Sequence, residues 1–318
     1  MIIPPPRFLL PPDARLDMET MADGAVIRTL SIERPDADYN MLALNGRADF
    51  LEKWADAWDG LASQGLALTG WDWRGQGLST RLVESGAGHM DRFDRWLDDM
   101  DHLGEQAIGR LAGRPWVAAA HSMGGHLLLR WLADPARADH PLRRQLRGVV
   151  LMAPFFGLGM AWPVRAAVLA AARREVALGH GERFAPGQGP YGNRAQALAR
   201  MLLLTGSKER FEDEARWVAA NPALATGGVT WGFLNGFAQS MAALNASALE
   251  KMDLPVLMLL AGKERLVSNP ASLRIARRLP DVQVEVMPNA AHELLREADA
   301  ARLATLSKIR AFADKVRA

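Results

Sequence analysis

The chain of 318 residues contains no cysteine, which excludes disulfide bonds and any reaction that uses a thiol as its nucleophile. Its longest apolar runs are too short to cross a bilayer. The first residues also lack the basic segment followed by an apolar segment that marks a secretory signal. We therefore expect a protein of the cytoplasm.

The chain also lacks a large excess of positive or negative side chains. It has 38 Lys and Arg residues against 36 Asp and Glu residues, and its formal net charge is +2. The isoelectric point near 9.1 reflects how few groups titrate just above neutral pH, with no Cys and only 2 Tyr. No basic stripe with interleaved aromatic residues is present, and neither a phosphate-binding loop nor a dinucleotide fingerprint occurs. The sequence therefore predicts no nucleic-acid partner and no cofactor.

The most informative segment that is present covers residues 116–130, which combine an apolar strand, a serine and an apolar helix. Ser122 stands at the bend, and the residues two positions before and after it are Ala120 and Gly124. Small neighbours are needed there because the strained turn lifts the serine hydroxyl out of the sheet. The pattern is that of a nucleophile elbow, Gly-x-Ser-x-Gly, with Ala in place of the first Gly. The alternative is an ordinary strand-to-helix turn that is rich in small residues.

Two later loops supply the acid and the histidine that a serine nucleophile requires. Glu264 follows an apolar strand at 254–261, and His292 follows the next predicted strand at 282–287. The carboxyl ends of parallel strands meet at one edge of the sheet, so both side chains are expected near Ser122. The alternatives are a solvated loop carboxylate and a surface histidine.

The combination of these motifs resembles one family of enzymes. The stretches that carry the resemblance are residues 44–53, 72–79, the elbow, 221–232, and the acid and histidine loops. Together they resemble the α/β-hydrolase family that contains bacterial lysophospholipase L2-type enzymes and monoacylglycerol lipases. The resemblance implies an α/β-hydrolase fold, with a mostly parallel central sheet flanked by helices. It also implies that Ser122 is the nucleophile, His292 the general base and Glu264 the acid, where the family usually has Asp.

An oxyanion hole needs two backbone N–H groups that point at the developing alkoxide. In this fold one comes from the residue after the nucleophile and the other from an early loop. The donors predicted here are Met123 and Arg47. Monoacylglycerol lipases have His-Gly where this chain has Asn45 and Gly46, but a backbone donor depends little on its neighbours' side chains.

Strands and helices alternate from about residue 25 to 153, with helices near 48–63, 92–111 and 123–133. From 155 to about 250 the pattern is helical without a clear strand, and strands resume after it. We therefore expect a core formed by residues 1–154 and 251–318, with an inserted helical cap at 155–250. A separate domain, or longer crossover helices, are the alternatives.

The aromatic residues of this middle stretch are candidates for an acyl pocket, since aromatic rings supply large apolar surfaces. The candidates are Trp162, Trp217, Trp231, Phe233 and Phe237. The resemblance points most directly at Trp231, and Phe233 lies on the same predicted helix. The alternative is that the rings form the core of the cap itself. The helix near 163–174 is a candidate for weak contact with a membrane surface, with ordinary packing as the alternative.

Other polar residues near these motifs are expected to have structural roles. Five aspartates between residues 91 and 101 follow helical spacing, which favours a solvated or ion-paired face over a metal site. His121 and His126 flank the nucleophile and are expected to pack or to form hydrogen bonds. No metal is predicted.

These observations predict a serine hydrolase that cleaves the carboxylic ester of a lipid monoester, a lysophospholipid or a monoacylglycerol, through an acyl-enzyme on Ser122. One alternative is a small-ester or amide hydrolase of the same fold, including an aminopeptidase-like enzyme. Another is a hydrolase-like protein that binds a ligand without turnover. The fold alone does not decide among them.

Overall fold

The computed structural model describes residues 6–192 and 200–316, and an eight-stranded sheet forms their centre. The strands are β1 (Ala14–Thr20), β2 (Val26–Ile32), β3 (Tyr39–Leu44), β4 (Leu66–Trp71), β5 (Trp116–His121), β6 (Leu146–Met152), β7 (Val256–Ala261) and β8 (Val282–Met287). Their spatial order is β1-β2-β4-β3-β5-β6-β7-β8. β2 pairs antiparallel with β1 and β4, and all pairs from β4 to β8 are parallel.

Helices connect the parallel strands. Those with bounds inside the described residues span Ala55–Ala62, Asp94–Arg110, Met123–Leu132, Pro141–Gln145, Trp162–Ala177, Lys208–Ala220, Trp231–Ala246, Asn269–Ala276 and Asp299–Lys315. The first follows a short 3₁₀ turn at Leu51–Trp54, so the helix predicted near 48–63 begins later than expected. Across residues 6–192 and 200–316, no helix has the length and hydropathy needed to span a membrane.

The central strands are buried on both faces, which explains their continuous apolar sequences. In β3, Met41 and Leu42 are both fully buried but belong to different hydrophobic clusters. Leu257 and Met258 of β7 divide in the same way. Successive side chains of a strand point to opposite faces, so each cluster packs one layer of helices against the sheet. The predicted α/β-hydrolase architecture, a mostly parallel sheet flanked by helices, is confirmed.

The chain leaves the sheet after Met152 and returns to it at Val256. The described residues in between form three long helices, at Trp162–Ala177, Lys208–Ala220 and Trp231–Ala246. They contribute isolated bridges but no strand of the sheet. This helical stretch covers the region predicted as a cap, and the exact division at 155 and 250 stays a prediction.

A buried carboxylate directly after β4 connects the segments that follow β3 and β4 to strand β2. Asp72 accepts hydrogen bonds from the backbone N–H groups of Leu51 (2.8 Å) and Leu78 (2.9 Å) and from Nε of Arg28 (2.8 Å). Gly77 has a φ of +53°, and a Cβ there would lie 2.1 Å from Oδ2 of Asp72. Only glycine therefore fits this turn, and the loop that follows β4 closes tightly around the carboxylate.

Candidate active site

Ser122 connects β5 to the helix Met123–Leu132. Its backbone has φ 51° and ψ −113°, a conformation that residues other than glycine rarely adopt. Its backbone N–H donates to the carbonyl of Met152 (2.9 Å), and its carbonyl accepts from the N–H of Phe155 (2.9 Å). These bonds fix the serine to the end of the neighbouring strand β6. The predicted elbow geometry is present.

The small residues around the serine are required by close packing. Ala120 is fully buried in β5. A Cβ on Gly124 would lie 2.5 Å from the carbonyl oxygen of Asn45 and 2.9 Å from that of Leu44. The helix that follows the serine therefore begins directly against the loop after β3.

His292 lies between Ser122 and Glu264 and forms a hydrogen bond with each. Its Nε2 is 2.8 Å from Oγ of Ser122, and its Nδ1 is 2.8 Å from Oε2 of Glu264. All three side chains are buried or nearly so. The structure thus brings together the three residues that were predicted from distant parts of the sequence.

The carboxylate of Glu264 is held by its own loop. Its Oε1 accepts from the backbone N–H groups of Leu266 (2.8 Å) and Val267 (3.1 Å), and its Oε2 faces His292. Burial raises the pKa of Glu264, but the hydrogen bond from His292 and the backbone donors outweigh burial, so the pKa lies below its ordinary value. The carboxylate is therefore ionised at neutral pH and holds a proton on Nδ1 of the imidazole.

The other two histidines near the nucleophile have structural partners. Nε2 of His121 is 3.1 Å from the carbonyl oxygen of His292, so it supports the backbone of the histidine loop. Nε2 of His126 is 2.7 Å from Oγ of Ser240. Burial lowers the pKa of His126 to about 3, so this ring is neutral. Packing or hydrogen bonding was the predicted role for both.

Some backbone donors of the loop after β3 are used within the protein. The N–H of Gly46 donates to Oδ2 of Asp49 (2.7 Å), and that of Ala48 donates to the side chain of Gln76. Among the described residues, the N–H groups of Arg47 and Met123 have no acceptor. The two donors predicted for the oxyanion hole therefore have no partner among the described residues, and their role stays a prediction.

A cavity of about 610 Å³ opens at Ser122, between the sheet and the middle stretch. Its apolar wall includes Leu158, Val168, Trp231, Phe233, Leu234 and Val267. Trp231 and Phe233 thus lie where the sequence placed a substrate pocket. Trp162 is 71% exposed and Trp217 stacks on Phe8 at 4.4 Å, so the expectation that these two rings line the pocket is wrong. Phe237 stacks on Phe155 behind the wall at 3.9 Å.

Part of the lining of the same cavity is charged, and this was not predicted. Nζ of Lys53 is buried within 2.6 Å of Asp49, 3.1 Å of Glu214 and 2.7 Å of Glu293. These carboxylates keep the pKa of Lys53 above its ordinary value although burial lowers it. The i, i+4 spacing of Asp49 and Lys53 was visible in the sequence, but nothing in the sequence connected this pair to Glu214.

The five aspartates of residues 91–101 form ion pairs, as the helical spacing predicted. Their partners are Arg95 for Asp91, Arg130 for Asp94, Arg137 for Asp98 and Asp101, and Arg74 for Asp99. Within the part of the chain that the structure describes, no group of three or more His, Asp or Glu side chains is arranged to hold a metal ion.

The sequence of the chain is similar to a family of serine hydrolases and to two bacterial lysophospholipases. The family described as "Serine aminopeptidase, S33" matches residues 35–299. The chain belongs to this family. It is 31% identical over 272 residues to the probable lysophospholipase L2 of Haemophilus influenzae, covering 86% of this chain and 82% of that protein. It is 29% identical over 303 residues to lysophospholipase L2 of Escherichia coli, covering 91% of this chain and 84% of that protein.

Solved structures of low sequence identity share the fold. A soluble variant of monoglyceride lipase from Saccharomyces cerevisiae has a TM-score of 0.75 at 17% identity, with 96% of each chain covered. The monoacylglycerol lipase of Paleococcus ferrophilus has a TM-score of 0.62 at 17% identity, covering 90% of this chain and 97% of that one. The family match and these structures support the same α/β-hydrolase architecture.

The contact of Gly124 with the loop after β3 leads to a first prediction. Gly124→Ala should lower ester hydrolysis by about 100-fold, because the new methyl group displaces the loop that carries the N–H of Arg47. The measurement is kcat/KM on a chromogenic butyrate ester, with thermal melting as a check of folding. Gly109→Ala is the control, since Gly109 lies in a helix with open space around it. Equal activity of the two variants would show that the loop tolerates the methyl group.

Proposed function

We propose that this protein hydrolyses the carboxylic ester of a lipid monoester, a lysophospholipid or a monoacylglycerol. The observation that carries the proposal is the hydrogen-bonded chain from Ser122 through His292 to Glu264, which opens into a largely apolar cavity. The names of the relatives, lysophospholipase L2 in two bacteria, support the same class of substrate.

In the proposed reaction, Oγ of Ser122 attacks the ester carbonyl while Nε2 of His292 takes the hydroxyl proton. Negative charge develops on the carbonyl oxygen and is stabilised by the free N–H groups of Met123 and Arg47. Glu264 stabilises the imidazolium through its hydrogen bond to Nδ1. His292 then delivers the proton to the leaving alcohol, and the acyl group remains on Ser122.

Deacylation repeats these steps with water as the nucleophile. His292 takes a proton from water, the hydroxide attacks the acyl-enzyme, and the fatty acid leaves as Ser122 recovers its proton. The reaction requires neither a metal nor a cofactor.

We propose that the middle stretch, residues 155–250, acts as a cap that selects the acyl chain. Trp231 and Phe233 contribute rings to the wall of the cavity, and the described cap residues around them are mostly apolar. Burial of each methylene of the acyl chain contributes about 0.8 kcal/mol, which favours long chains over acetate.

An aminopeptidase-like activity is named in the description of the family and is the second enzymatic candidate. The relatives named as lysophospholipases favour an ester substrate for this chain. A ligand-binding protein without turnover is disfavoured by the aligned serine, histidine and glutamate. Assays with an amino-acid amide beside the lipid esters separate the two enzymatic candidates.

The proposed catalytic roles lead to a second prediction. Ser122→Ala should abolish turnover and labelling by a fluorophosphonate probe, and His292→Ala should lower kcat by about 10⁴-fold or more. Glu264→Gln should lower kcat by about 10²–10⁴-fold because the amide cannot stabilise the imidazolium, and Glu264→Asp should retain part of the activity. The matched control is Glu250→Gln, an exposed carboxylate outside the site. Normal turnover of Ser122→Ala would refute the nucleophile assignment.

The proposed acyl pocket leads to a third prediction. Trp231→Ala should reduce kcat/KM for long-chain monoesters far more than for acetate esters, because only long chains reach the ring. The control is Trp162→Ala, which removes a ring that is 71% exposed and outside the cavity. The measurement is a chain-length series with monomeric substrates. Equal losses for short and long chains would mean that Trp231 supports only the packing of the cap.

We also propose a weak contact of the cap with membrane surfaces. The helix Trp162–Ala177 and the residue Met160 before it expose several large apolar side chains, Trp162 and Val164 among them. Exposed arginines at positions 173 and 174 would favour anionic lipids. The location in the cytoplasm stays a prediction from the sequence.

The membrane proposal gives a fourth prediction. The protein should co-sediment with vesicles of phosphatidylcholine and phosphatidylglycerol, and Trp162→Ala should sediment several-fold less because it removes an exposed ring. Leu303→Ser is the control, since Leu303 is a similarly exposed apolar residue on the C-terminal helix. Failure of the unaltered protein to sediment would refute the contact.

A further inference from the structure

A cluster of charged side chains at the cavity has an excess of one positive charge. It comprises four cations and three anions, of which five line the cavity, and we term it the buried charge cluster. The members are Arg47, Lys53, Arg200, Arg296, Asp49, Glu214 and Glu293. A surplus cation beside a reaction site is a feature that attracts an anionic group.

Three of the four cations have carboxylate partners. Lys53 contacts three carboxylates within 3.1 Å. Arg200 forms a bidentate pair with Glu214, at 2.6 and 3.0 Å. Nε of Arg296 donates to Glu293 at 3.0 Å. The charge of each of these side chains is therefore already compensated.

Arg47 is the member without such a partner. Its Nη1 donates to the carbonyl oxygen of Gly227 at 3.1 Å, and no described carboxylate lies within 4.0 Å of its guanidinium. Residues 193–199, which lie outside the described part, include neither Asp nor Glu. No other described residue accepts a hydrogen bond from this guanidinium, so its remaining donors can bind a ligand.

The position of Arg47 links the nucleophile to a second recess. Its side chain lines the cavity at Ser122 and also an adjoining recess of about 260 Å³, which Gln188, Tyr191 and Thr226 help to form. Burial and the nearby charge of Arg200 lower the pKa of Arg47 to about 10. The guanidinium is still cationic at neutral pH, and a bound anion would relieve this unfavourable environment.

We propose that the Arg47 guanidinium binds the phosphate of the substrate head group, so that the enzyme prefers a lysophospholipid to a monoacylglycerol with the same acyl chain. This inference rests on the proposed ester hydrolysis. The planar guanidinium matches phosphate oxygens in a bidentate manner, whereas a glycerol hydroxyl offers no charge. The backbone N–H of Arg47 would bind the ester carbonyl while its side chain binds the phosphate. In a lysophospholipid, the ester and the phosphate are separated only by the glycerol unit.

The test compares two soluble substrates, octanoyl-lysophosphatidylcholine and monooctanoylglycerol, below their micellar concentrations. The readout is the ratio of their kcat/KM values, in which any loss common to both substrates cancels. In Arg47→Met the kcat/KM of the lysophospholipid relative to that of the monoacylglycerol should fall about 10- to 100-fold. The ratio should fall less in Arg47→Lys, because lysine keeps the charge but loses the paired donors of the guanidinium.

The matched control is Arg147→Met, which makes the same charge change at an exposed position. Arg147 lies near the amino end of β6, whereas Ser122 lies at the carboxyl end of β5, so the two occupy opposite edges of the sheet. Its ratio should equal that of the unaltered protein. Thermal melting of Arg47→Met should be close to that of the unaltered protein, since no ion pair is lost.

Inorganic phosphate provides the second arm. It should inhibit hydrolysis of monooctanoylglycerol competitively in the unaltered protein, and the inhibition should weaken about 10-fold or more in Arg47→Met. Inhibition that depends on Arg47 with an unchanged substrate ratio would assign the site to free phosphate and overturn the head-group assignment.

The remaining outcomes separate this inference from the proposed function. Equal losses for both substrates in Arg47→Met would overturn the inference and leave Arg47 as a support for the loop at Gly227, while ester hydrolysis would stand. Turnover of neither substrate by the unaltered protein would overturn the proposed function and the inference with it.

Discussion

Ser122 is held at a positive φ of 51°, and the rest of the site is arranged around that conformation. Such backbone strain costs about 1–3 kcal/mol and persists only where the surrounding structure fixes it. Here the hydrogen bonds to Met152 and Phe155 at the end of β6 provide that support. The strained turn directs Oγ toward His292 and leaves the N–H of Met123 free at the start of the helix. The same turn brings Gly124 so close to the loop after β3 that no side chain fits between them.

The buried charge cluster adds a second constraint, because its members come from three parts of the chain. Lys53 belongs to the segment after β3, and Glu214 belongs to the helix Lys208–Ala220. Glu293 directly follows His292. Removal of one partner from such a buried group costs about 3–5 kcal/mol, since an uncompensated charge remains. The cluster therefore fixes the helix Lys208–Ala220 and the loop of His292 relative to the loop after β3. Its surplus positive charge falls on Arg47, which lines the same cavity as Ser122.

Much of the fold and the central residues of the site could be predicted from local patterns. The elbow was visible because strand, serine and helix are contiguous in the sequence, and the order of Ser122, Glu264 and His292 follows from the topology of the fold. The aromatic residues between 155 and 250 were less predictable. Trp231 and Phe233 face the cavity, whereas Trp162 is exposed and Trp217 packs on Phe8. Composition identifies such rings as apolar, but their directions depend on how the helices pack.

The sequence by itself determined the alternation of strands and helices, the interruption by a helical stretch, and the positions of Ser122, Glu264 and His292 after three strands. Periodicity encodes the strands and helices, small residues at fixed spacing mark the elbow, and the carboxyl ends of parallel strands share one edge of the sheet. Only the tertiary structure decided which backbone donors are free, which aromatic rings line the cavity, and how Lys53 meets Glu214. The physical reason is that hydrogen bonding and charge compensation depend on distances between segments far apart in the chain. Arg47 is one of the 38 Lys and Arg residues in the sequence. It differs from Lys53 and Arg200 because they form ion pairs with Glu214, whereas no described carboxylate lies within 4.0 Å of its guanidinium.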